Sequence, residues 1–246
     1  MPNTLSIPLA QEIVLTRINT ELIDTMAASG FEARFVGGCV RDALLGIRSE
    51  DVDIASTATP DQTIKALKVL DGIKLNPFAV RYGVIHIKYK GQTFQISTLR
   101  EDVKTYGRKA DVMFTTSWNQ DAKRRDFTVN SIYMARSGEL FDPYDGVVDL
   151  RQRLVKFIGD PSVRIQEDYI RILRYFRFWG KLSAQRSEPA VTEAIIKHSE
   201  GLKTLPTALL ASEIKKIKKL SNCIRVLSLM RELIPDLLDA LLNLES

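Results

Sequence analysis

Residues 35–56, FVGGCVRDALLGIRSEDVDIAS, restrict the possible folds more than any other part of the chain. The pattern predicts a strand, a glycine turn, a short helix and a second strand whose polar face carries two carboxylates. Side chains alternate across a strand, so Asp51 and Asp53 share one face and Val52 and Ile54 the other, with the aspartate α-carbons roughly 6.5–7 Å apart. Carboxylates converging in this way suit hard cations about 3.5–4 Å apart, an arrangement that activates an attacking oxygen and stabilises a leaving pyrophosphate. Gly37 and Gly38 let backbone amides approach an anion, a helix starting near Cys39 adds unsatisfied N–H groups, and Arg41 adds a fixed cation. Taken singly, a Gly-Gly turn is usually structural and an Asp-x-Asp on an exposed strand is usually a solvated face. Their spacing is what makes the combination informative.

The 246 residues are 45% hydrophobic and 26% charged, enough for one large or two modest cores. A net charge of +5 and a pI near 9.1 favour an anionic partner without identifying it. A ribosomal or membrane-surface protein has a similar balance. Cys39 and Cys223 form neither a disulfide framework nor a metal-ligand spacing, which favours a reducing compartment. The N-terminal stretch has no basic segment leading into a long apolar core, and no apolar run reaches the roughly 18 residues a membrane span needs. The expectation is a cytoplasmic protein with no membrane partner.

Along the chain, residues 9–29 have helical periodicity up to Gly30, and Thr59-Pro60-Asp61-Gln62 reads as a capping box opening a helix to about Leu70. Val84–Tyr89 and Phe94–Thr98 read as a hairpin extending the sheet of Asp51 and Asp53. Residues 101–119 read as a long polar connection, either a solvated loop or a functional element. In DAKRRDFTVN, residues 121–130, the helical spacing of Phe127, Ser131 and Met134 predicts a helix. An Arg pair and an Asp near its start could hold phosphate and ribose, although a surface Arg-Arg commonly does nothing. Asp142 and Asp149 in the following turn region read as caps and braces. Asp160-Pro161 opens a helix that is expected to continue through EDYIRILRYFRF, with Arg164, Asp168, Arg171 and Tyr175 on one face. A surface ion pair is the bland account of Asp168 and Arg171. Short helices follow over 189–198, 207–220, 222–233 and 235–244. Lys215, Lys216, Lys218 and Lys219 form a basic run that could follow RNA phosphates or simply face solvent. His86 and His198 fit no catalytic pattern.

These motifs resemble, in order, those of the class II CCA-adding tRNA nucleotidyltransferase and bacterial poly(A) polymerase family, within the polymerase-beta nucleotidyltransferase superfamily. The matches are GG-x-VRD-x-LLG with D-V-D, RRDFT-x-N, the turn D-x-x-x-G-x-x-D-L and E-D-x-x-R at residues 167–171, so the resemblance covers roughly residues 31–178. It implies an α+β fold, with a polymerase-beta-like catalytic head over 1–150 and an all-helical neck over 151–246, the later body and tail short or missing. The implied reaction adds CMP, CMP and AMP from CTP and ATP to the 3′ end of tRNA, with Mg2+ as cofactor and release of pyrophosphate. A-adding, CC-adding or poly(A)-adding activity remains an alternative, as does a catalytically weak RNA-binding paralogue. Asp51 and Asp53 would be catalytic and hold metal. Gly37, Gly38 and Arg41 would hold triphosphate, Arg125, Asp126 and Asn130 ribose, and Asp168 and Arg171 the base, with Arg108 touching RNA; the basic run, apart from the resemblance, would bring Lys215 and Lys216 to RNA as well. Gln95 stands where the family carries a glutamate, and Ala211–Lys215 match the family's next signature poorly, so the resemblance carries no role onto them. Leu237, Leu238, Leu241 and Leu242 would leave an apolar face to be covered by a homo-oligomer or by a partner completing the RNA surface.

Overall fold

The computed structural model of the protein describes residues 5–76, 79–106 and 109–245. The chain begins with α1 (Ile7–Val14), α2 (Arg17–Ala28), β1 (Ala33–Val36), α3 (Gly38–Leu44), β2 (Asp51–Ser56) and α4 (Pro60–Leu67). It continues with β3 (Lys74–Asn76), β4 (Val84–Tyr89), β5 (Gln92–Thr98), β6 (Arg100–Tyr106), β7 (Lys109–Phe114), α5 (Trp118–Lys123), β8 (Tyr133–Met134) and β9 (Leu140–Phe141). Helices complete it: α6 (Gly146–Arg151), α7 (Pro161–Glu167), α8 (Ile170–Lys181), α9 (Pro189–His198), α10 (Thr207–Lys218), α11 (Cys223–Leu233) and α12 (Pro235–Leu242). By internal contacts the chain divides into a first unit of residues 1–103, 111–125 and 129–147 and a second of residues 104–110, 126–128 and 148–246.

The first unit is built on a sheet in the order β3-β4-β5-β2-β1-β8-β9. β2 lies inside it, antiparallel to β1 and parallel to β5, with Asp53 opposite Gln95. Val52, Ile54, Phe94, Ile96, Ile85 and Ile87 alternate onto a buried face, and Leu22, Met26, Leu44 and Leu67 supply the helical side of the core. The expected hairpin is present. Lys90 and Gly91 have φ values of 47° and 82°, the two positive values a tight two-residue turn requires. Thr59 and Gln62 form the expected capping box.

Three expectations for this part of the chain are corrected. Residues 9–29 form two helices, because the Thr16 hydroxyl accepts from Asn19 N–H and starts α2 anew while the Asn19 amide donates to Val14 O. Residues 101–119 are not one loop: β6 and β7 make a separate two-stranded sheet, and α5 begins at Trp118. The segment after Phe127 is no helix beyond a single tight turn over Thr128–Asn130. Tyr133 and Met134 pair with Val36 and Phe35, so a distant strand takes the backbone bonds a helix would have used.

The second unit is helical. Asp160 caps α7, accepting from Val163 N–H at 2.9 Å. The helix does not continue as expected but breaks at Asp168, whose backbone is extended (φ −157°, ψ 103°), and α8 starts two residues later. Phe127, Phe157, Tyr175 and Phe178 pack together, Phe157 and Tyr175 stacked with centroids 6.2 Å apart. Leu237, Leu238 and Leu241 are at most 5% exposed, and α12 packs against α10 and α11. Three of the four leucines expected to need an outside partner are therefore covered within the unit, while Leu242 is half-buried. Among the described residues no helix is long and apolar enough to cross a membrane.

Gly180 marks the closest approach in this bundle: a β-carbon there would lie 2.5 Å from Val226 Cγ2 and 2.7 Å from Leu220 Cδ1. Gly180→Ala should therefore cost about 1–3 kcal/mol through overpacking, despite alanine's better helix propensity. Denaturant unfolding reads this directly; an unchanged or raised midpoint would mean that α8 and α11 part at little cost.

Candidate active site

The turn between β1 and α3 needs glycine at its first position. Gly37 has φ 69° and ψ −121°, a region closed to residues with a β-carbon, and its N–H donates to Ile132 O at 3.2 Å. A β-carbon at Gly37 would lie 3.6 Å from Arg125 Nη1 and from Asn130 O; one at Gly38 would lie 3.9 Å from Arg41 Nη2 and from Asp53 Oδ2. Six of the residues singled out in the sequence, Gly37, Gly38, Arg41, Asp53, Arg125 and Asn130, therefore gather at one place, with Asp51 on the same face of β2. Arg41 is buried: its Nε and Nη2 donate to Asp42 Oδ1 at 2.9 and 2.7 Å, and its Nη1 donates to Asn130 Oδ1.

Arg125 is held from behind. Its Nη2 donates to Asp121 Oδ2 at 2.9 Å and its Nε to Tyr133 Oη at 2.9 Å, while the tyrosine hydroxyl donates to Asp121 Oδ2 at 2.7 Å. Asp121 is fully buried, which disfavours its charge, but Arg125, Arg124 and the Tyr133 hydroxyl outweigh burial and hold its carboxyl well below the usual range. Burial also works against charge on Arg125, and Asp121 again decides the balance, raising its pKa. The i, i+4 spacing of Asp121 and Arg125 is the sequence signal for this pair.

Asp53 shows the opposite balance. Burial first, and the neighbouring Asp51 carboxylate after it, raise its pKa, with Arg125, Arg41 and His86 only partly opposing them. Two adjacent carboxylates, one partly desolvated, form a site whose charge a cation would relieve. Among the described residues no group of three or more His, Cys, Asp and Glu side chains is placed to hold a metal. A pair still fits magnesium, which is commonly held by one or two carboxylates with substrate phosphates and water completing its shell. Gln95, directly opposite Asp53 across the parallel pairing, adds an amide and no charge. Below the turn, the Cys39 thiol donates to Val36 O at 3.4 Å, and burial pushes its pKa up to about 12.

In the second unit, Asp126 is already engaged: Oδ2 accepts from Arg174 Nε at 2.7 Å and Oδ1 from Phe127 N–H at 2.8 Å. Asp168 sits at the helix break, with Oδ1 accepting from Ile170 N–H at 3.2 Å. Arg171 Nη1 donates to Glu167 Oε2 at 2.7 Å and to Arg164 O at 2.6 Å, so its ion pair is with Glu167, not with Asp168. Lys215 is exposed, and Lys216 pairs with Glu213 at 2.7 Å. Glu213, given no role in the sequence, is buried and also binds Arg177 at 2.8 Å. Arg108 lies outside the described residues.

The family described as the poly(A) polymerase head domain matches residues 33–156. The chain is 42% identical over 215 residues to the zebrafish (Danio rerio) mitochondrial CCA tRNA nucleotidyltransferase 1, covering 86% of this chain and 50% of that protein. A solved structure of the Bacillus stearothermophilus CCA-adding enzyme in complex with CTP superposes with a TM-score of 0.79 at 29% identity, covering 91% of this chain and 52% of the other. A tRNA nucleotidyltransferase complexed with a primer tRNA and an incoming ATP analog superposes with a TM-score of 0.73 at 28% identity, covering 86% and 60%. The chain thus spans about half the length of the curated relative it matches.

Removing the Asp121 charge tests the support of Arg125. Asp121→Asn should destabilise the protein by about 3 kcal/mol, because it leaves a largely buried guanidinium without its counter-charge. A carboxyl depressed on folding contributes its stability in full above the unfolded pKa of about 3.9 and loses it as pH falls toward the lower folded value. The gap between wild type and variant should therefore be constant near neutrality and close below about pH 4. Unfolding midpoints measured across that range check both the size and the sign.

Proposed function

Because the chain belongs to the poly(A) polymerase head-domain family, we propose that it is a template-independent nucleotidyltransferase adding CCA to the 3′ end of tRNA, with CTP and ATP as donors and pyrophosphate as leaving product. The observation that carries this is the turn itself: Gly38 lies against both Asp53 and Arg41, setting an anion-accepting backbone beside an acidic pair. The choice of CCA follows the names of the relatives, one a CCA tRNA nucleotidyltransferase and one a CCA-adding enzyme bound to CTP. Residues 1–150 are the catalytic head and 151–246 the neck. Residence in the cytoplasm belongs to the same proposal and is supported by two free thiols.

Gly37 and Gly38 offer their backbone, and Arg41 a fixed charge, to the triphosphate; Arg125 and Asn130 hold the ribose side of the nucleotide. Asp126, whose Oδ2 accepts from Arg174, would accept from a ribose hydroxyl as well. Asp51 and Asp53 would hold magnesium, which when bound offsets phosphate charge and favours ionisation of the attacking hydroxyl. The RNA 3′-hydroxyl releases its proton to solvent, its oxygen bonds the α-phosphorus, the bond from that phosphorus to the bridging oxygen breaks, and pyrophosphate leaves with that electron pair. Asp168 accepts and Arg171 donates, which matches the amino group and ring nitrogen shared by adenine and cytosine and opposes guanine and uracil. Glu167 keeps the Arg171 guanidinium in one orientation. RNA phosphates would meet Arg108, Lys215 and Lys216. Gln95 favours a second reading, an RNA-binding paralogue of low activity, because the amide beside Asp53 withholds a third charge.

Incubation with tRNA lacking its CCA, with each nucleotide singly and together, followed by 3′-end sequencing, separates CCA addition from A, CC or poly(A) addition and from no addition. Asp51→Ala and Asp53→Ala should each abolish incorporation, and wild-type turnover in both would remove the metal assignment. Because the Asp53 pKa is raised, protons compete with the cation above the ordinary aspartate range. Divalent affinity should therefore fall on acidification at a higher pH than for an unperturbed carboxylate, as calorimetric titration at several pH values reads. Leaving two base contacts unpaired costs roughly 1–3 kcal/mol each. Neutralising Asp168 and Arg171 together should thus slow CTP and ATP addition and relax exclusion of GTP and UTP; unchanged base selectivity refutes their role.

A further inference from the structure

Hydrogen bonding across the first unit's sheet aligns residues into rows, and alternation decides which rows share the face of Asp51 and Asp53. Asp51 stands opposite Thr93, Thr93 opposite Lys88 and Lys88 opposite Lys74. The next row runs Asp53, Gln95, His86 and Asn76. Intervening positions Phe94, Ile85 and Ile87 are buried, whereas Lys74, Lys88, His86 and Thr93 are exposed. From the two carboxylates outward to the edge strand β3, these rows carry two lysines and a histidine and no acidic side chain. Neither Lys74 nor Lys88 forms an ion pair or hydrogen bond among the described residues.

The chemistry indicates which substrate passes over this face. Gly37, Gly38 and Arg41 border β2 on the β1 side, and β5, β4 and β3 lie on the other side. A displacement at phosphorus with entering and leaving oxygens in line requires the nucleophile to arrive opposite the leaving pyrophosphate. If the triphosphate rests on the glycine turn, the attacking 3′-hydroxyl comes from the β5 side, and the nucleotides behind it lie over β4 and β3. Strands are 4.7–4.9 Å apart, which puts Lys88 about 10 Å and Lys74 about 14 Å from Asp51, within reach of the last phosphates of an RNA strand.

We propose that Lys88 and Lys74 form a phosphate track on the open sheet face that holds the single-stranded 3′ end of the RNA substrate as it enters the carboxylate site. This rests on the nucleotidyltransferase reading above, and it adds two residues and a direction of approach that the sequence motifs do not contain. The lysines bind phosphate oxygens without reading base identity, as suits a site through which a growing end must pass.

The test compares wild type with Lys74→Gln/Lys88→Gln, using tRNA that lacks its CCA end and a short single-stranded RNA. Each phosphate contact to a single strand contributes about 0.7 to the slope of log affinity against log salt, so the double variant should bind the short RNA with a slope smaller by about 1.4. KM for tRNA should rise several-fold, with kcat at saturating tRNA and KM for CTP unchanged. Unchanged slope and tRNA KM overturn the track; so does a rise in the KM for CTP, which would place triphosphate there. Should the double variant melt below wild type, Lys88→Gln alone must lower the slope by about 0.7. The two proposals separate cleanly: a wild type that incorporates nothing refutes the activity, while the binding slope still decides the track.

Discussion

The parallel pairing of β2 with β5 is the constraint on which the first unit depends. It fixes Asp53 opposite Gln95, and because side chains alternate, that one register sends Val52, Ile54, Phe94 and Ile96 into the core and Asp51 and Asp53 out of it. A slip of β2 by one residue would bury two carboxylates and expose Val52 and Ile54 in their place. No compensation available to a domain this size would cover that loss. The acidic pair is thus presented to solvent by the same hydrophobic burial that makes the sheet stable.

Charge is handled differently in the two units. In the first, Arg125 is clamped by Asp121 and Tyr133, and Arg41 by Asp42 and Asn130, so the cations at the turn are fixed before any anion arrives. Fixed charges need no reorganisation on binding, which is what the proposed triphosphate role asks of them. In the second unit, the Arg177–Glu213 and Arg174–Asp126 pairs lie among packed helices and aromatic rings. They satisfy one another rather than facing outward, consistent with a cost of burial that only close pairing offsets.

Features written in short-range chemistry were legible in the sequence. Thr59-Pro60-Asp61-Gln62, Asp160-Pro161 and Lys90-Gly91 each specify their structure within four residues, and the glycine turn with Arg41 and Asp53 is almost as local. What the sequence hid depends on partners far along the chain. Tyr133 and Met134 kept a helical spacing because every residue from Phe127 to Met134 is buried, so periodicity had no exposed side to register. The partner of Asp126 lies 48 residues away, and the cover over Leu237 and Leu238 comes from helices that only packing brings near. His86 is an intermediate case. Counting back from the two-residue turn at Lys90-Gly91 sets it opposite Gln95, so its place beside the site could have been read before any fold was known.

The burial of Cys39 also bears on how this protein can be handled. Its sulfur sits under the β1–α3 turn with its pKa pushed up to about 12, so near neutrality almost none of it is thiolate, the form that reacts with alkylating agents and oxidants. Cys223, at the start of α11, is only half-buried. A maleimide fluorophore or nitroxide offered to the native protein should therefore attach to one sulfur, giving a spectroscopic reporter in the helical unit without removal of either cysteine.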